Sequence, residues 1–140
     1  DISFAEIKAC YEALKKELGF DNRQIILAGH SMGGLIAIQM ALTGDLGVRG
    51  LIANGPALPF GDAQDEFEKL LPSARERGLR IYFIIGEKDV DIEQDEVRAF
   101  AEKLKSAGIA CELETVPGAT HDYNPAYDAA LVRALEFVNS

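Results

Sequence analysis

With 140 residues, 48% of them hydrophobic, the chain has room for one domain with a proper core and too much apolar content for disorder. Fourteen Lys and Arg against 23 Asp and Glu leave a formal charge of −9, which argues against nucleic-acid partners and against anionic membrane surfaces. No run of about 18 apolar residues occurs, so no transmembrane segment is expected, and the two cysteines, Cys10 and Cys111, cannot build a four-thiolate zinc site.

The opening Asp1-Ile2-Ser3-Phe4 has no start methionine and no basic stretch ahead of an apolar one. It is not a signal peptide, and it reads as the interior of a longer chain. Cys10 on a helix stripe and Cys111 in a strand read as reduced structural thiols, and the expected location is cytoplasmic.

Residues 3–18 carry Phe4, Ile7, Tyr11, Leu14 and Leu18 at helical spacing, with Gly19 as the stop. An apolar strand over 24–28 follows, then a sharp turn at Ser31 and a helix to about Leu42. Gly33, Ala37 and Ala41 fall four apart on that helix, a small-residue stripe that lets it lie close against a sheet. The strand over 48–54 is apolar on both faces apart from Arg49, the mark of a parallel sheet covered by helices. A loop over 56–62 leads into 63–77, where Pro72 predicts two short helices or one with a break.

The third strand, 79–85, ends at Gly86. Residues 93–106 place Val97, Phe100, Ala101 and Leu104 on one helix face. The fourth strand, 111–116, sets Glu112 and Glu114 on one face and reads as an edge strand. A loop over 117–122 precedes a final helix, 125–138, with Tyr127, Leu131, Leu135 and Val138 inward. Strands alternating with helices predict an α/β fold, a mainly parallel sheet with helices on both faces.

The stretch that organises the chemistry is the strand-turn-helix around Ser31. A strand running straight into a helix leaves its turn residue at an awkward backbone angle, and Gly29 and Gly33 remove Cβ atoms that would collide there. Sites in such sheets gather at the carboxyl ends of the strands. Ser31 follows the first strand, Asp89 the third and His121 the fourth. A serine hydroxyl needs a base to take its proton, and a neutral imidazole serves only if a partner fixes its tautomer.

Each assignment has a plainer rival. Ser31 is also an ordinary small turn residue; His30 is the alternative histidine, although it adjoins Ser31 and should point away from it. Asp91, Glu87 and Asp95 compete with Asp89, and a solvated acidic loop explains all four. The alternation of Asp89, Asp91, Glu93 and Asp95 glances at a calcium loop but lacks its central glycine, so no metal is expected. The glycine-rich turn lacks a phosphate-loop lysine, and no cofactor is expected. Leu58 and Phe60 offer an apolar lip over Ser31, and Tyr123, with Tyr127, a second wall near His121.

Gly29-His30-Ser31-Met32-Gly33 resembles the nucleophile elbow of the α/β-hydrolase superfamily. Gly86-Glu87-Lys88-Asp89 is similar to its acid loop and Gly118-Ala119-Thr120-His121 to its histidine loop, in the same chain order. Within the superfamily the sequence is most similar to small serine carboxylesterases, acyl-thioesterases and lysophospholipase-like hydrolases. The resemblance implies acyl transfer from a small-molecule ester or thioester to water. Ser31 is then the nucleophile, His121 the base, Asp89 its orienting acid, and the Met32 N–H an oxyanion-hole donor. A serine peptidase is one alternative; an inactive fragment or a binding module of hydrolase ancestry is another.

The resemblance begins at the helix before the elbow strand. Residues 1–140 are therefore expected to form a single partial domain, the C-terminal part of an α/β-hydrolase fold, without the strands and the loop that donates a second oxyanion N–H. Strand 25–28 has the pattern of an interior strand, so a missing N-terminal half or a homodimer mate is expected to cover it.

Overall fold

A computed structural model describes residues 4–21, 25–58 and 62–140. Helix α1 (Phe4–Leu18) leads to strand β1 (Ile26–His30), α2 (Met32–Thr43) and β2 (Gly50–Asn54). Two short helices, α3 (Asp62–Glu68) and α4 (Leu71–Glu76), precede β3 (Arg80–Gly86), α5 (Gln94–Ser106) and β4 (Ala110–Val116). A 3₁₀ turn, Pro125–Tyr127, opens into α6 (Asp128–Val138). The strands form one parallel sheet in the order β1-β2-β3-β4, with Leu27 beside Leu51, Leu51 beside Ile81 and Ile81 beside Cys111.

The inner strands are those whose sequence is apolar on both faces: β2 is buried throughout and β3 from Ile81 onward. Successive strand side chains point to opposite faces, so the core divides in two. Leu51, Ala53, Ile81, Phe83 and Ile85 pack with Ile38, Leu42, Phe100 and Leu104, from α2 and α5. Ile52, Tyr82 and Ile84 pack on the other face with Ala130, Ala134 and Val138 of α6.

The inward face of α6 is thus Ala130, Ala134 and Val138, not the expected leucine stripe; Leu135 is exposed and Leu131 half-buried. Alanines let this helix sit close to the sheet, and they are just as helically spaced. Helix α1 is more open than its pattern suggests: Tyr11 is buried and donates to the Leu46 carbonyl, while Phe4, Leu14 and Leu18 are exposed. Cys10 is exposed too, and Cys111 is buried, which pushes its thiol up to about 12.

Both edge strands carry a physical answer to their exposure. On β4, Glu114 accepts hydrogen bonds from Tyr82 Oη at 2.6 Å and from Arg133 of α6; the Arg133 bonds hold its carboxyl below the usual range. The expectation of an interior strand at 25–28 left without a neighbour is corrected by β1. It is a short edge strand whose flanking side chains are half-covered, Ile25 and Leu27 by the larger core cluster and Ile26 by the smaller. The cover these side chains have comes from the chain's own core and not from the expected missing N-terminal half or homodimer mate.

Candidate active site

The site is built where three loops leave the carboxyl ends of β1, β3 and β4. Ser31 joins β1 to α2 with φ 54° and ψ −119°, and it is the one non-glycine residue with positive φ among the described residues. Such a conformation costs on the order of 1–3 kcal/mol and persists only where its surroundings over-determine it. They do so here. The Ser31 N–H donates to the Asn54 carbonyl at the end of β2, and the Ser31 carbonyl accepts from the N–H groups of Gly34, Leu35 and Ala57.

Gly29 makes the turn possible: a Cβ there would lie 2.2 Å from the Gly33 carbonyl oxygen. A Cβ on Gly33 would meet nothing within 4 Å, whereas one on Gly34 would press on Pro56 at 2.9 Å. The glycines that this turn requires for space are therefore Gly29 and Gly34, while Gly33 contributes its backbone. Gly29→Ala is expected to destabilise the protein by about 3 kcal/mol or more, because backbone rather than a pliable side chain blocks the new carbon. Gly33→Ala should stay within about 1 kcal/mol, near the helix-propensity difference between the two residues. Urea denaturation of both variants checks this, and equal losses would contradict the steric account.

Asp89 sits in the turn after β3 with its side chain wholly buried. Its Oδ1 accepts the Asp91 N–H at 3.0 Å, and its Oδ2 lies 2.8 Å from His121 Nδ1. On the other side of the imidazole, Nε2 lies 2.8 Å from Ser31 Oγ. With the ring proton on Nδ1, His121 donates to Asp89 and accepts the Ser31 hydroxyl proton, an uninterrupted relay of two hydrogen bonds. The Met32 N–H stands at the first position of α2, where a helix amide has no intrahelical acceptor.

The acid and histidine loops hold each other. Val116 and Ala119 carbonyls accept from the Glu87 and Lys88 N–H groups, and Glu87 Oε2 accepts the Gly118 N–H at 2.7 Å. Glu87, a rival for the acid role in the sequence, thus binds loop to loop. Tyr127 is buried, and its hydroxyl donates to the Thr120 carbonyl next to His121. Burial first, then the Asp89 charge, pushes that phenol up.

Two glycines make room around the acid and the base, Gly55, which was not singled out in the sequence, and Gly86, which was read there as the strand end and the start of the acid loop. Gly55 has φ 49°, and a Cβ on it would stand 3.1 Å from Asp89 Oδ2 and 3.4 Å from His121 Nδ1. Gly86 leaves no room for a Cβ against the Ala119 carbonyl at 2.4 Å. Gly55 directly follows the apolar strand β2 as Gly86 ends β3, and that shared position is the signal by which Gly55 was legible. His30 is exposed, and its ring lies 4.8 Å from the His121 ring, beside the base rather than in its place.

Leu58 is buried and lines a cavity of about 190 Å³ together with Pro56, Ile92 and Val97. Tyr123 is exposed and stacked on Tyr127, with its hydroxyl bonded to Asp128. Phe60 lies outside the described residues. A wider groove of about 590 Å³ runs past Glu68, Arg75 and Lys103, and none of Ser31, Asp89 and His121 lines it. Oxygen and nitrogen atoms of Asp89, Asp91 and His121 lie within 4.8 Å of one another, but both ring nitrogens of His121 are already engaged by Asp89 and Ser31. Among the described residues no helix is long and apolar enough to cross a membrane.

The family model for the dienelactone hydrolase family matches residues 3–135. Among solved structures, an uncharacterized protein from Bacillus cereus is 27% identical, with a TM-score of 0.75 over 100% of this chain and 48% of its own. An esterase from Thermogutta terrifontis is 24% identical, with a TM-score of 0.69 over 96% of this chain and 62% of its own. An S-formylglutathione hydrolase from Staphylococcus aureus is 21% identical, with a TM-score of 0.70 over 98% and 60%. No curated protein matches the chain.

The family match corrects one expectation. The family match runs over residues 3–135, nearly the whole chain, and so does not support the expected resemblance to a C-terminal part only of an α/β-hydrolase fold. The same finding gives no support to the expected missing N-terminal half or homodimer mate. The chain spans about half to two thirds of the length of the solved structures it resembles.

Proposed function

Because this chain belongs to the dienelactone hydrolase family, we propose that it acts as a serine hydrolase on a small carboxylic ester or thioester, through an acyl-enzyme. The observation that carries this reading is the relay from Ser31 Oγ through His121 to Asp89, two contacts of 2.8 Å each, at the apex of a strained elbow. Ser31 Oγ attacks the carbonyl carbon while His121 Nε2 takes its proton. The imidazolium so formed is steadied by the buried Asp89 carboxylate and returns the proton to the leaving group. Water then repeats the cycle on the acyl-enzyme, with His121 as base and Ser31 as leaving group.

The Met32 N–H supplies one oxyanion-hole contact, a kind of interaction that contributes about 3–4 kcal/mol in the transition state. Leu58 and Tyr123 belong to the substrate walls in this reading. The chemistry requires no cofactor or metal, since nucleophile, base and electrostatic stabilisation are all supplied by the chain. A cytoplasmic location fits the same reading, with one exposed and one buried free thiol suited to a reducing compartment.

The test is covalent labelling. A fluorophosphonate probe should modify the protein once, at Ser31, with a mass shift that peptide mapping assigns to the elbow. Modification elsewhere, or none while the protein hydrolyses short p-nitrophenyl esters, would remove Ser31 from the mechanism.

A further inference from the structure

The two halves of an acyl-enzyme reaction do not hold the base equally well. In the free protein the His121 ring is fixed at two corners, by Asp89 Oδ2 at Nδ1 and by Ser31 Oγ at Nε2, each at 2.8 Å. Once Ser31 Oγ is acylated it has no proton to donate, and the second bond is gone. Asp89 then holds one corner of a ring whose χ2 torsion is intrinsically broad. The loop backbone is tied at Ala119, which accepts from the Lys88 N–H, and at Thr120, which accepts from the Tyr127 hydroxyl. Both ties fall short of His121 itself. One further group touches the ring. His30 closes β1 in register with Asn54, and its ring lies 4.8 Å from the His121 ring at an interplanar angle of 37°. Aromatic pairs at such separations contribute beyond the area they bury. Among the described residues the His30 side chain makes no hydrogen bond or ion pair, so this ring contact is its one commitment. His30 is exposed, whereas the His121 side chain keeps 17% of its surface in solvent. The outer ring therefore shields the inner one, and it does so from a strand rather than a loop.

We propose that His30 is a positioning residue for His121 that acts chiefly in deacylation. Its ring backs the imidazole and keeps Nε2 aimed at the attacking water when Ser31 no longer holds it. The proposal rests on the reading of Ser31 as the nucleophile. In deacylation the water oxygen adds to the acyl carbonyl carbon, and a water proton passes to His121 Nε2. The bond from Ser31 Oγ to the acyl carbon then breaks, Oγ takes the proton from Nε2, and the carboxylic acid leaves. In acylation the same backing is nearly redundant, because Ser31 and Asp89 hold the ring between them. Phenylalanine at position 30 keeps a flat ring against the imidazole without nitrogen atoms, and alanine removes the ring. The pair of variants therefore separates packing from any proton chemistry of His30.

The experiment measures two rates in the parent, His30→Ala and His30→Phe. The rate of fluorophosphonate labelling reads attack by Ser31 alone. The lifetime of the acyl-enzyme reads deacylation, followed by intact mass after acid quench of a single turnover of a short p-nitrophenyl ester. His30→Ala should lengthen that lifetime by about five- to tenfold, the scale of one aromatic contact, with labelling within about twofold of the parent. His30→Phe should return the lifetime to within about twofold of the parent. Because His30 is exposed, both variants are expected to fold. Should alanine fail to, His30→Asn, polar and without a ring, takes its place. An unchanged lifetime, a labelling rate that falls as far as the lifetime rises, or no rescue by phenylalanine overturns the proposal and leaves Ser31 chemistry in place. Absence of both labelling and acyl adduct in the parent overturns that chemistry as well.

Discussion

Replacing Ser31 by alanine is expected to lower kcat for a short p-nitrophenyl ester by roughly 10⁶-fold, the loss seen when the nucleophile of a serine triad is removed. That corresponds to about 8 kcal/mol of transition-state stabilisation. The whole covalent route depends on one oxygen atom, since Ser31 Oγ is the group within 2.8 Å of His121 Nε2. Stability should hardly change. Alanine has the same Cβ at the same positive φ, so the strain of the elbow is retained and about one hydrogen bond is lost, worth on the order of 1 kcal/mol. Stopped assays and thermal unfolding on the same preparation separate the two effects. A variant that keeps a tenth of the parent's turnover would show that the relay is decoration. A variant that loses activity together with its melting transition would show only that the elbow had failed to form.

How far the sequence led depends on which physical signal was present. Strands apolar on both faces, broken by glycine and followed by amphipathic helices, were legible, because burial on two sides leaves no other pattern for β2 and β3. Pro72 near the start of α4 explains the split between two short helices, since proline suits a first turn but not an interior. What was not legible was distance through space. Gly33 and Gly34 are neighbours of the same type, and only the approach of Pro56 distinguishes the one that needs to lack a Cβ. Likewise, Asn54-Gly55-Pro56 reads in the sequence as a strand stop. The fold turns it into the partner of the elbow through the Asn54 carbonyl, and into the neighbour of Asp89 and His121 through the missing Cβ of Gly55.

The leucines of α6 show a second limit. Two helical stripes coexist on it, one of alanines and one of leucines, and hydrophobicity alone selects the larger side chains. Close packing selects the smaller ones, because Val138 already meets the space over Gly50 and the helix cannot stand farther off. The positions of Phe4, Leu14 and Leu18 on α1 follow the same lesson from the opposite side: regular spacing records a stripe, not what lies against it.

The choice among four acids, open in the sequence, leads to the second large effect. Asp89→Asn is expected to lower kcat by about 10⁴-fold near neutral pH with little change in fold, as when the orienting aspartate of another triad becomes asparagine. The local geometry gives the reason. Oδ1 of Asp89 must remain an acceptor, because the Asp91 N–H points at it from 3.0 Å. An asparagine satisfies that contact by placing its carbonyl oxygen there, which turns its NH₂ toward His121 Nδ1. Two donors cannot face each other, so the imidazole shifts its proton to Nε2 and can no longer accept from Ser31 Oγ. The expected loss is therefore in kcat rather than KM, and it should be relieved partly at high pH, where hydroxide replaces the base. Asp91→Asn keeps the same backbone N–H and leaves Asp89 charged, so a neutral ester should lose less than about tenfold. If Asp91→Asn produced the 10⁴-fold loss and Asp89→Asn did not, the acid of the triad would be Asp91, and the buried contact of Asp89 with His121 would be structural.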